Sequence, residues 1–154
     1  MKLAEALIER ADLKAQISQI VARMIENTVI QEGDEPAEDI AVLLSMYDTM
    51  MAKQEELIIC INKTNSTTVL SLNNEDISLA EAIAKRDCMK SKITTIRKVR
   101  ESSMTRRDRW SGSEIKYVRT VDIAKLQAMI DDYSRRYREL DTKIQTQNWA
   151  TDLV

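Results

Sequence analysis

The sequence contains no histidine and no phenylalanine, and its 154 residues include only two glycines and one proline. Without histidine the chain lacks the side chain that titrates near neutral pH and the commonest metal ligand. A Ser-His-Asp triad and a zinc-histidine site are therefore excluded within one chain. Two separated glycines, Gly33 and Gly112, cannot form a phosphate-cradling loop. Cys60 and Cys88 make neither a disulfide framework nor a CxxC motif, which fits a reducing compartment. The longest aliphatic run, Leu57 to Ile61, falls far short of a bilayer span. Glu5 and Glu9 stand where a signal peptide needs an unbroken apolar stretch. These absences predict a cytoplasmic protein that is not an enzyme, with no catalytic residue, no metal and no cofactor.

Scarce helix breakers also leave long uninterrupted segments with apolar side chains at helical spacing. Helix one is predicted over about 2–28, with Leu3, Leu7, Ala11, Leu13, Ile17, Ile20, Val21, Met24 and Ile25 on one face. The stretch Gln31 to Pro36 ends it, and Pro36 is placed as the first residue of helix two, with Glu38 and Asp39 in its first turn. Helix two, about 36–65, carries the alternating series Ile40, Leu44, Tyr47, Met51, Gln54, Ile58, Ile61, Asn65, a heptad seam with two polar members. Ser78 and Glu81 form a capping box for helix three, about 79–104. Helix four, about 122–147, is capped by Asp122 or Thr120 and carries Ile123, Leu126, Ile130, Tyr133, Tyr137, Leu140 and Ile144. Two β-favouring stretches, about 67–72 and 114–121, are expected to pair as a ribbon at one end. The predicted fold is a single all-α domain over 1–154, an antiparallel four-helix bundle of long helices with a short two-stranded β-ribbon.

Charge is unevenly placed. Residues 26–56 hold nine acids against Lys53 alone, net −8, whereas residues 85–120 hold twelve bases against four acids, net +8. Such blocks face each other, within a chain or between copies, or meet a charged partner. The apolar faces also carry polar members: Arg10 and Lys14 in helix one, Gln54 in helix two, Arg86, Lys90 and Arg97 in helix three, and Asp141 in helix four. Buried charge needs partners, so these groups are either stripe-edge side chains paired across an interface or an internal polar layer for an anion. A second polar group, Asn62, Asn65, Glu114, Lys116 and Asp122, is assigned to the ribbon end of the bundle. The acidic loop Glu32 to Asp39 lacks the ligand spacing of an EF-hand, and capping accounts for its acids. The basic stretch Arg97 to Trp110 has nucleic-acid character but no DNA-binding motif, and the acidic helix two is a ready partner for it.

Several phrases together resemble a known family: the start Met1 to Leu7, Gln31 to Asp39, Ile61 to Asn65, Ser113 to Lys116 with Thr120 to Asp122, and Leu140 to Gln145 leading into Asn148 and Trp149. The chain resembles the septicolysin-like family of small bacterial proteins of unknown function over nearly its whole length. The resemblance implies a helical bacterial protein, brings no catalytic residues, and carries a pore-forming cytolysin as one alternative. An anion- or nucleic-acid-binding module is the other. The leading expectation is a self-associating structural or interaction protein, a homo-oligomer whose intersubunit pairing satisfies the stripe charges, with Trp149 as an anchor against the bundle or a neighbouring subunit.

Overall fold

The computed structural model describes residues 1–72, 74–104 and 118–154. Among them the protein is mostly helical, with α1 (Leu3–Glu26), α2 (Ile40–Thr67), β1 (Val69–Leu72), β2 (Glu75–Ser78), α3 (Leu79–Met104) and α4 (Ile123–Ala150). The chain divides into two compact units: Met1–Val69 with Gln145–Val154, and Leu70–Ile144.

In the first unit α1 and α2 form an antiparallel hairpin. Leu3, Ala6, Leu13 and Ile20 are buried, and Arg10, Ile17 and Met24 between them are half-buried, giving α1 a seam of three- and four-residue steps. This seam is narrower than the predicted face, since Ala11 and Ile25 are exposed. The α2 seam facing it consists of buried Leu43, Leu57, Ile61 and Thr64 with half-buried Tyr47, Met50 and Gln54. Lys53 meets Glu9 at 2.6 Å, and near the loop Arg23 Nε donates to Glu38 at 2.7 Å.

Helix two does not begin at Pro36. Its first helical residue is Ile40, and Asp39 is the cap, its carboxylate accepting from Ala41 N at 2.7 Å. The delay has a local cause: Glu38 N donates to Asn27 Oδ1 at 3.0 Å, and the Glu38 carboxylate is drawn to Arg23. Glu38 is thereby committed to the end of α1 rather than to the first turn of α2. Gly33 in the loop adopts φ +99°, a conformation that L side chains rarely take. At its other end α2 continues to Thr67, beyond the expected 65. Thr64, Ser66 and Thr67 return their hydroxyls to the carbonyls of Cys60, Asn62 and Lys63, so these side chains are bonded within the helix instead of ending it.

The C-terminal residues belong to this unit as well. Leu3 N donates to Thr151 O at 2.9 Å and Leu153 N to Met1 O at 2.9 Å. Lys2 and Asp152 form an antiparallel bridge, with their side chains 2.9 Å apart. Val154 N donates to Thr64 Oγ1 at 3.0 Å.

The second unit starts with a hairpin. The predicted ribbon of 67–72 with 114–121 is replaced by β1 paired with β2 across a two-residue connection. Asn74 supplies the positive φ, 68°, that such a turn requires. Residues 114–117 lie outside the described residues, and 118–120 form no strand. Glu75 and Asp76 are poor strand formers, which hid β2 in the sequence, but closing a two-residue loop costs little chain entropy. Ser78 then caps α3: Glu81 N donates to Ser78 Oγ at 3.2 Å, and Ser78 N donates to the Glu81 carboxylate at 2.7 Å. The expected capping box is present, and the bonds from the Ser78 backbone and hydroxyl hold the Glu81 carboxyl below the usual range. Leu79, Ala82 and Ile93 of α3 and Ile130, Leu140 and Ile144 of α4 are buried. Asp122 caps α4, accepting from Lys125 N at 3.1 Å.

Candidate functional site

The feature of the first unit that packing does not explain lies on α2. Its inward seam uses Leu43, Tyr47, Met50, Gln54, Leu57, Ile61 and Thr64. Beside it runs the series read from the sequence, in which Leu44 is 47% exposed, Met51 37% and Ile58 36%. Seven-residue spacing places these three on one line along the helix, with half-buried Ile40 preceding them. The stripe from Ile40 to Asn65 spans 25 steps, about 38 Å of helix. Asp48 and Glu55 are exposed on its outer flank, making an apolar strip with an acidic edge. A helix with two adjacent heptad seams is built to contact two neighbours, and the α1 hairpin supplies one of them.

The polar residues singled out from the sequence fall into both units. In the first, Arg10 is a half-buried member of the α1 seam, and Lys14 is exposed. Neither has an ion-pair partner among the described residues, which fits long stems lying along the helix with their heads in water. Gln54 is half-buried in the inward α2 seam. In the second unit Arg86 is tied to Asp141 at 3.2 Å and to Asp87 at 2.9 Å. Burial opposes its charge most strongly, yet Asp87 and then Asp141 outweigh that penalty and raise its pKa above the ordinary arginine value. This pair is an architectural tie between α3 and α4. Lys90, one turn further along α3, is exposed and lines a cleft.

Of the second group, Asn62 is exposed, Asn65 is half-buried with an unpartnered buried Oδ1, and Asp122 is the α4 cap. Glu114 and Lys116 lie outside the described residues. Trp149 is 54% exposed, whereas its neighbour Asn148 is 4% exposed with a buried, unpartnered Oδ1. The buried Thr64, which tethers Val154, was not singled out; its signal was a threonine falling in phase with Leu57 and Ile61.

Arg23 and Glu38 give the hairpin a pH response. The hydrogen bond from Arg23 holds the Glu38 carboxyl below its ordinary value. A depressed carboxyl contributes stability that is present above the unfolded value, about 4.3, and lost as pH falls through the lower folded value. The gap in melting temperature between wild type and Glu38→Gln is expected to be open at neutral pH and to close in acid below about pH 4. Melts monitored by circular dichroism from neutral to acid pH check this, and a gap that widens in acid contradicts it.

No helix among the described residues is long and apolar enough to cross a membrane. No curated protein matches the chain. It is similar to a solved structure described as a functionally unknown conserved protein from Corynebacterium diphtheriae, with 35% identity and a TM-score of 0.90, covering 100% of this chain and 99% of that one. Residues 10–153 match DUF6847, a family of unknown function, and the chain belongs to that family.

Proposed function

We propose that the protein is a self-associating interaction protein whose α2 presents its open seam to a second copy of the chain. The observation that carries this reading is the unpartnered heptad line Leu44, Met51, Ile58 beside a seam already filled by α1. Single exposed apolar residues are ordinary on a protein surface, but a contiguous strip at coiled-coil spacing marks a contact surface. The choice of a second copy follows from charge. Most of the strip lies in the block of net −8 over residues 26–56, with Ile58 just beyond it, and the same chain carries a block of net +8 over residues 85–120. In a two-fold pair each copy's acidic block can meet the other's basic one, and both are satisfied at once. The free Cys60 and Cys88, one half-buried and one exposed, support a reducing compartment such as the cytoplasm.

Sedimentation velocity on wild type and on the pair variant Met51→Glu/Ile58→Glu tests the reading. Wild type is expected to sediment as a dimer or larger species at micromolar concentration, and the variant as a monomer with unchanged helical content. Both residues are already exposed, so the substitutions spare the inward seam. A wild type that stays monomeric throughout the concentration range overturns the proposal.

A further inference from the structure

In the second unit α3 and α4 run antiparallel, and two polar ties fix their register. Arg86 bonds to Asp141 near the start of α3, and Arg100 bonds to the Gln127 side-chain oxygen near its end. Between the ties lies a cleft of about 280 Å³ lined by Lys90, Ile93, Thr94, Arg97, Ser134, Tyr137 and Arg138. Three cationic and three hydroxyl-bearing residues line it, and none of the lining residues is acidic.

Other arginines of the two helices are neutralised locally, Arg86 by Asp87 and Asp141, Arg135 by Asp132 and Glu139, and Arg136 by Asp132. Lys90, Arg97 and Arg138 have no ion-pair partner among the described residues. Ser134 is the second anomaly. A helical serine or threonine ordinarily returns its hydroxyl to the carbonyl one turn back. Thr94 does so to Lys90 at 3.0 Å and Thr142 to Arg138 at 2.9 Å. Ser134 does not, and its Oγ is buried without a partner. A buried hydroxyl in this state is uncommon in a folded protein.

From these observations we infer that the α3–α4 cleft binds the phosphate of a small phosphate monoester. Lysine and arginine side chains offer donors and no acceptor, so the ligand must be rich in acceptor oxygens. Three uncompensated positive charges suit the charge of a phosphate monoester, about −1.5 to −2, better than that of a single carboxylate. Arginine adds a planar fork that matches phosphate geometry. Lys90 and Arg97 are seven residues apart on one face of α3, about 10.5 Å along the axis, and Arg138 approaches from α4. The charges are thus spread along a cleft larger than inorganic phosphate, and Ile93 and the Tyr137 ring offer apolar surface to an organic body. This inference is independent of self-association, because all seven residues belong to one chain and one unit.

Isothermal titration calorimetry on the full chain at physiological salt, with ribose 5-phosphate and inorganic phosphate as probes, tests it. Saturable binding of ribose 5-phosphate at one site per chain is expected, tighter than that of inorganic phosphate. Equal affinity for the two supports the phosphate site and assigns free phosphate as its ligand. Arg97→Ala is expected to weaken binding roughly tenfold or more. Lys98→Ala, which removes an equal charge beside the cleft, leaves it unchanged. Ser134→Ala gives a smaller loss with the fold retained, since its hydroxyl bonds to nothing in the protein. The absence of saturable heat from either probe at millimolar concentration overturns the inference. So does an equal loss in Lys98→Ala, which reduces the effect to diffuse charge.

Discussion

Ile61→Ala is expected to lower the unfolding free energy by about 2–5 kcal/mol. Ile61 is 1% exposed and sits where the two α2 seams converge, in phase with Leu57 and Thr64 on one side and with Ile58 on the other. Truncation removes three buried carbons and leaves a cavity that the flanking helix backbones cannot fill. The same change at Ile58, 36% exposed, removes less buried surface and is expected to cost under about 1 kcal/mol in the dissociated chain. Urea unfolding followed by circular dichroism separates the two, read as a shift of midpoint at constant slope. A loss at Ile61 no larger than that at Ile58 contradicts the assignment of inward and outward seams.

Thr64→Val is the second large effect, a loss of about 1–3 kcal/mol without any change of shape. Thr64 is fully buried, donates to Cys60 O at 2.8 Å and accepts from Val154 N at 3.0 Å. Valine fills the same volume but offers Val154 N no acceptor, so the cost lies in the hydrogen bond rather than in a cavity. Loss of the tether should also raise hydrogen exchange at the Val154 amide. The control is Thr67→Val, one turn on and exposed, expected within about 0.5 kcal/mol of wild type. An unprotected Val154 amide in the wild type contradicts the tether.

What could be read from the sequence followed the reach of each interaction. The four helices were legible because so few breakers interrupt their apolar spacing, and Ser78 with Glu81 was legible because a capping box spans only three residues. Pro36 misled because its fixed φ suits a helix start, whereas the start was set by Asn27 and Arg23 holding Glu38 from across the loop. The hairpin partner of β1 was hidden by its acidic composition. The docking of residues 151–154 left little signal, because it is made mainly of backbone bonds to Met1 and Leu3 and one hydroxyl from α2, with a single ion pair between Lys2 and Asp152. For the cleft, Lys90 and Arg97 stood out as charges on an apolar face. Ser134 and Arg138 acquire meaning only from the register that the Arg86–Asp141 and Arg100–Gln127 ties impose.

In the proposed self-association, the line Leu44, Met51, Ile58 meets another copy of the chain. A spin label at Glu55→Cys, beside that line, with Cys60 and Cys88 replaced by alanine, reports on the contact through electron–electron dipolar coupling. A defined intermolecular distance is expected, disappearing when labelled chains are diluted with unlabelled ones. Met51→Glu/Ile58→Glu is expected to abolish the signal. An echo without intermolecular modulation, at concentrations where the wild type is fully folded, would contradict it.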